Sequence, residues 1–114
     1  YLRRSVWGPG VRVMADKNAL TDRVRQDLDL LRRHVSLLRT VEENQPIGII
    51  RLSELAGYPQ HKVRYTLRVL EQEGLVRPSQ EGARVTSKAN GFRQKLKSLL
   101  GEMRETVETL TDSL

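Results

Sequence analysis

The stretch RLSELAGYPQHKVRYTLRVLEQEGLV, residues 51–76, contains the pattern that decides the fold. A Gly-Tyr-Pro sequence at 57–59 separates a short apolar segment from a longer one. The apolar positions are Leu52, Leu55 and Ala56 before the break and Val63, Leu67 and Leu70 after it. The later positions recur at helical spacing, and Gly74 suits the left-handed residue that ends a helix. The stretch therefore predicts a short helix, a tight turn and a longer helix, which together form a helix-turn-helix.

The composition restricts the classes of protein that the chain can belong to. Its 114 residues predict one domain, and its formal net charge of +6 favours anionic partners such as nucleic acid. It contains no cysteine, so it has no disulfide and no thiolate ligand or nucleophile. No apolar run approaches the roughly 20 residues of a membrane span. We expect a cytoplasmic protein without a membrane partner.

The second predicted helix is basic on the side opposite its apolar face. No acidic residue occurs between Pro59 and Leu70. At 100° per residue, the outward positions and their neighbours near the N-terminus are Gln60, His61, Lys62, Arg64, Tyr65 and Arg68. Arginine reads guanine and glutamine pairs with adenine, whereas Lys62 and Arg68 are placed to hold the DNA backbone. A merely solvated face is the alternative interpretation.

A β-hairpin is predicted directly after this helix, at residues 75–86, with a four-residue turn at 79–82. In that register Val76 and Val85 share the inner face, and Arg77 and Arg84 face each other. Like charges directly opposed across a hairpin are destabilising, and a phosphate between them would relieve the repulsion. We therefore take both arginines as candidate phosphate contacts, with a solvated pair as the alternative.

Two long helices are predicted on either side of the central stretch. The first runs from Leu20 to about Glu43; a loop then leads into a short strand at 49–51. The last helix begins after a cap at Thr86 or Ser87 and runs nearly to the end. Their apolar stripes need partner surfaces, in the same subunit or in a second one. We expect a dimer interface at Val24, Leu28, Leu31, Leu96, Leu99, Met103, Val107 and Leu110.

The order of elements and the motifs RLSELA, VRYTLRVLEQEGLV and ARVTSKANGF resemble the winged helix-turn-helix transcriptional regulators of bacteria and archaea. The resemblance covers about residues 37–90. It implies a mainly α fold with a small β-hairpin (α+β) and long flanking N- and C-terminal helices. It also implies a recognition helix at about 59–73 in the major groove and a wing at 75–86 on the DNA backbone. The acid Glu81 at the tip of the short wing argues against deep insertion into the minor groove.

These observations predict three segments. Residues 1–17 are a flexible basic arm or residues foreign to the native protein, 18–90 are the DNA-binding domain, and 91–114 are a C-terminal dimerisation helix. We expect a sequence-specific double-stranded DNA-binding transcriptional regulator that acts as a homodimer, with two recognition helices roughly 34 Å apart. A small-molecule effector in the crevice between the long helices and the winged domain is left open.

The residues available for catalysis are few, so we do not expect an enzyme. The chain has two histidines, no glycine-rich phosphate loop and no paired carboxylates of the kind that a catalytic cleft uses. His61 has no acidic or histidine partner at metal-ligand spacing, and we expect neither a metal nor a cofactor. The alternative function is a winged-helix module for protein–protein contact within a larger nucleic-acid assembly. RNA binding is a third option, although aromatic stacking residues are scarce.

Overall fold

The computed structural model describes residues 19–114 and contains, within that range, four helices and a two-stranded antiparallel sheet. The elements are α1 (Ala19–Asn44), α2 (Ile49–Ala56), α3 (Gln60–Gln72), β1 (Val76–Arg77), β2 (Arg84–Val85) and α4 (Lys88–Ser113). The predicted class, mainly α with a small β-hairpin, is confirmed. The arm predicted at residues 1–17 lies outside the described residues. None of the helices between residues 19 and 114 has the length and apolar character needed to cross a bilayer.

The hydrophobic core lies in the second of two compact units, His34–Leu114. Its buried residues come from the C-terminal part of α1, from α2 and α3, and from the hairpin: Leu37, Leu38, Val41, Ile47, Leu52, Val63, Leu67, Leu70, Leu75, Val76 and Ala83. The predicted inward face of α3 is confirmed, and Thr66 is buried on the same side. Helix α4 is continuous across the predicted boundary at residues 90 and 91, and the functional division there stays a prediction.

Two glycines end the helices of the helix-turn-helix. Gly57 has φ of 80°, and its N–H donates to the Ser53 carbonyl at 2.9 Å. Gly74 has φ of 76°. The N–H of Leu75 donates to the Leu70 carbonyl at 2.9 Å, and that of Gly74 donates to the Glu71 carbonyl at 3.0 Å. These two bonds form a Schellman motif, and Gly74 is the left-handed residue that the sequence predicted at the end of this helix.

The strand predicted at residues 49–51 is wrong, because these residues form the first turn of α2. Gly48 is the extended N-cap residue, and the Leu52 N–H donates to its carbonyl at 3.0 Å. The segment that joins the sheet lies earlier: Ile47 and Ala83 exchange both backbone hydrogen bonds, at 3.2 and 2.8 Å. Ile49 and Ile50 are β-branched, which favours a strand, but a strand also needs a partner for its backbone. Here the partner, Ala83, pairs with Ile47 instead.

The buried face of α2 also differs from the predicted one. Leu52 is fully buried, and Ile49 and Ala56 pack against the core. Leu55, expected on the apolar side, is 43% exposed. With the helix starting at Ile49, the buried positions follow a spacing of three and four residues, which leaves Leu55 outside the stripe.

The hairpin has the predicted register, with Val76 opposite Val85 and Arg77 opposite Arg84. Ser79 and Gly82 exchange backbone hydrogen bonds around the turn, at 2.9 and 3.1 Å. The hairpin is also bonded to the loop after α1, because the Val85 N–H donates to Gln45 Oε1 at 2.8 Å.

Thr86 connects the end of α3 to the start of α4. Its hydroxyl donates to the Gly74 carbonyl at 2.5 Å and accepts from the Lys88 N–H at 3.2 Å. Of the two caps that the sequence allowed, Thr86 makes the side-chain bond, whereas Ser87 makes none. The hairpin is therefore held at its base to both neighbouring helices.

Candidate nucleic-acid interface

The outward face of α3 carries the six predicted DNA-contacting side chains. Each of them is exposed: Gln60, His61, Lys62, Arg64, Tyr65 and Arg68. Tyr65 is 53% exposed although it is a large aromatic residue. The apolar face of the same helix is buried, so the helix is fixed in rotation and these side chains cannot turn inward.

The cations of this face form no ion pair with another described residue. The ion pairs among residues 19–114 join Arg39 to Glu43, Arg51 to Glu54 and Arg93 to Glu42. The first two have N–O distances of 4.0 and 3.6 Å on exposed side chains. Because Lys62, Arg64 and Arg68 are outside these pairs and exposed, their charge is available to an anionic partner.

The hairpin presents a second pair of cations. Arg77 is exposed and Arg84 is half-buried, and they are direct cross-strand partners on the face opposite Val76 and Val85. Side chains of directly opposed residues lie within about 5 Å at Cβ, so their charges repel in the absence of an anion. The structure thus has the opposed arginines that the hypothesis of a bound phosphate requires. Phosphate binding itself stays a prediction.

Sequence reasoning missed the start of α2 as part of this surface. A concave region of about 570 Å³ lies between α2 and α3, and its lining is formed by Gly48, Ile49, Ile50, Arg51, Glu54, Gln60 and Arg64. The amides at a helix N-terminus favour anions, and the N-cap residue Gly48 has no side chain that could accept from them. Recognising Gly48 as a helix N-cap instead of a residue before a strand would have identified this site.

The residues predicted for a dimer interface are largely accessible. Val24 and Leu28 are 55% and 54% exposed, and Leu31 is half-buried. On α4, Leu96 is half-buried, whereas the remaining four are 43–59% exposed: Leu99, Met103, Val107 and Leu110. Within the described part of the chain, an apolar stripe is therefore uncovered along the second half of α4. Dimerisation itself stays a prediction.

Two depressions flank the first half of α4. A depression of about 360 Å³ lies beside the start of the helix, and its lining includes Glu73, Leu75, Lys88, Phe92 and Lys95. A more apolar groove of about 240 Å³, the α1–α4 groove, separates the two long helices. Its lining consists of Val35, Leu38, Arg39, Phe92, Arg93, Leu96, Lys97 and Leu100. Nothing in either depression identifies a small-molecule effector.

The described residues form no cluster of three or more histidine, aspartate or glutamate side chains that could hold a metal ion. His61, which the sequence left without a metal-ligand partner, is exposed at the start of α3. The outer face of α3 carries cationic, amide and phenol side chains, whose chemistry suits phosphate oxygens and base edges.

Comparison with solved structures finds chains of similar fold. The chain is similar to the activation domain of the phage T4 transcription factor MotA, with a TM-score of 0.51 and 20% identity over 64% of this chain and 78% of that domain. It is also similar to a Listeria innocua protein of unknown function, with a TM-score of 0.52 and 14% identity over 92% of this chain and 96% of that one. At these identities the likeness concerns the fold. No protein-family model matches the chain, and no curated protein does.

Proposed function

We propose that this protein is a double-stranded DNA-binding transcriptional regulator with the winged helix-turn-helix architecture, which acts as a homodimer. Helix α3 is its recognition helix in the major groove, and the hairpin is its wing on the DNA backbone. In this role the protein binds and does not catalyse, and its location is the cytoplasm. The similarity in fold to a domain of a phage transcription factor supports a role in transcription.

The observation that supports the proposal most directly is the division of α3 into two faces. Val63 and Leu67 anchor one face in the core, and the opposite face presents Arg64 and Arg68 without an acidic partner among the described residues. An α-helix fits the major groove, where arginine can donate two hydrogen bonds to guanine O6 and N7. Specificity in this proposal comes from Arg64, Gln60 and Tyr65, and Lys62 and Arg68 set the register on the phosphates.

Salt-dependent binding to random duplex DNA tests the proposal. We expect the logarithm of the binding constant to fall with the logarithm of salt concentration with a slope of several units, at about 0.9 per phosphate contact. Replacing Lys62, Arg64 and Arg68 together by alanine should lower the affinity at low salt by about a hundredfold. Selection of bound sequences from a random pool then identifies the operator.

The matched control removes the same charge elsewhere. Arg23, Arg25 and Arg32 are exposed arginines of α1, and replacing these three by alanine should change the affinity much less. Equal losses for both triple variants would contradict a groove-reading role for α3. Absence of binding at low salt would overturn the proposal as a whole.

A second candidate function is a protein-contact module of the same fold within a larger nucleic-acid assembly. The observation in its favour is that one structural neighbour is the activation domain of a transcription factor. Arg64, Tyr65 and Arg68 would fit that role as well, because arginine and tyrosine are enriched at protein interfaces, whereas lysine is depleted there. The salt-dependent binding experiment separates the two functions, since the module would not bind random duplex DNA.

A further inference from the structure

Helix α4 is divided into two halves of opposite charge. Residues 88–100 contain four basic residues and no acidic one, Lys88, Arg93, Lys95 and Lys97. Residues 101–114 contain four acidic residues and one basic one, Glu102, Arg104, Glu105, Glu108 and Asp112. The four acidic side chains form no ion pair with another described residue. A helix with this distribution is complementary to a second copy of itself only when the two run antiparallel.

The apolar surface of α4 is continuous through both halves. Its second half leaves Met103, Val107 and Leu110 exposed by 43%, 59% and 59%. Its first half forms one wall of the α1–α4 groove, where Val35 of α1 is 39% exposed and Leu100 is 37% exposed. The groove is therefore an apolar surface that residues 19–114 leave unfilled.

The rim of this groove is basic. Arg39, Arg93 and Lys97 lie among its lining residues. Arg39 and Arg93 have acidic partners on α1, whereas Lys97 is outside the ion pairs of the described residues. An occupant that fits would be an amphipathic helix with an apolar stripe and flanking acids. The second half of α4 has both properties, with Val107 and Leu110 in the stripe and Glu105 and Glu108 beside it.

We propose that two copies of this chain dimerise through an antiparallel pair of α4 helices, in which the acidic half of each helix occupies the α1–α4 groove of the other copy. The charge changes sign between Lys97 and Glu102, so the pair is centred near Gly101. A helix of 26 residues is about 39 Å long, so its full overlap places the two DNA-binding domains at opposite ends of the helix pair. The inference rests on the homodimer of the proposed function and specifies its interface.

Charge exchange within α4 tests the pairing in the absence of DNA. Glu105→Lys together with Glu108→Lys should raise the dimer dissociation constant at least about tenfold, measured by sedimentation, because lysines then face the basic half. Adding Lys95→Glu and Lys97→Glu to the same chain should restore the dimer. All four positions are exposed, and circular dichroism confirms that each variant is folded. A protein that stays monomeric at micromolar concentration, or a dimer unaffected by the first pair of changes, overturns the inference.

Spin-label distances test the direction, and the absence of native cysteine makes single labels unambiguous. Asn90, Ser98 and Thr111 are exposed positions for such labels. In an antiparallel dimer, a labelled cysteine at Asn90 or Thr111 should give a separation of about 30 Å or more between the two copies. A labelled cysteine at Ser98 should give less than about 20 Å. A parallel pair would give similar separations at all three positions, because its helix axes stay about 10 Å apart along their whole length, and would overturn the inference. Neither measurement involves DNA, so a protein that fails here can still bind duplex DNA, and one that fails to bind DNA can still form this dimer.

Discussion

Gly82 lies so close to the backbone of Ile47 that a side chain between them is excluded. A Cβ on Gly82 would be 2.5 Å from the Ile47 carbonyl carbon and 2.6 Å from its oxygen. Gly82 also has φ of 134°, a conformation that residues with a side chain rarely adopt. The contact brings the turn of the hairpin against the loop that precedes α2, and so it fixes the hairpin relative to α2.

The Gly82→Ala substitution should therefore destabilise the fold. We expect a loss of about 3 kcal/mol in the free energy of unfolding, from the clash and the backbone strain together. Urea denaturation measures it. Gly91→Ala is the matched control, because nothing lies within 4 Å of its Cβ position and the residue is inside α4. It should stabilise the protein by about 0.5–1 kcal/mol, and similar effects of both substitutions would contradict the role of the contact.

The buried face of α2 can be tested with two leucines of the same helix. Leu52 is fully buried and Leu55 is 43% exposed. Leu52→Ala should cost about 2–5 kcal/mol of unfolding free energy because it leaves a cavity in the core. Leu55→Ala removes the same atoms from a partly solvated position and should cost less than about 1 kcal/mol. Thermal unfolding of both variants measures the two losses of unfolding free energy. Equal losses would mean that α2 does not turn its Leu52 face towards the core.

Replacing both hairpin arginines separates folding from DNA binding. Arg77→Ala with Arg84→Ala should raise the unfolding free energy by about 0.5 kcal/mol, because it removes two opposed like charges. The same variant should reduce the salt slope of DNA binding by about 0.9 for each lost phosphate contact. Arg104→Ala, in the acidic half of α4, serves as a control and should leave the slope unchanged. An unaltered slope in the double variant would exclude the phosphate contacts.

Two neighbouring cations of α3 should have different roles on a selected DNA site. Arg64→Ala should relax the preference at one base pair and cost about 1–3 kcal/mol on the preferred sequence. Lys62→Ala should weaken binding to all sequences by a similar factor and reduce the salt slope by about 1. Competition between matched and mismatched duplexes measures both effects. Uniform weakening by both variants would assign Arg64 to the backbone instead.

Several features of the fold follow from local sequence alone, because their causes lie within a few residues. The spacing of Val63, Leu67 and Leu70 gives α3 its inner and outer faces, and Gly74 ends the helix in the expected left-handed conformation. The four-residue turn sets the register that opposes Arg77 and Arg84. The six candidate positions on the outer face of α3 could be named for the same reason.

The tertiary structure decided the features that depend on residues far apart in the chain. Whether Ile47 or residues 49–51 would be extended depended on Ala83, which supplies the backbone partner for Ile47 from more than 30 positions away. The contact between Gly82 and Ile47, the start of α2 beside Arg64, and the apolar groove between the long helices have the same origin. Periodicity gives the direction in which a side chain points from its own helix, but the neighbour it meets is determined only when the elements pack.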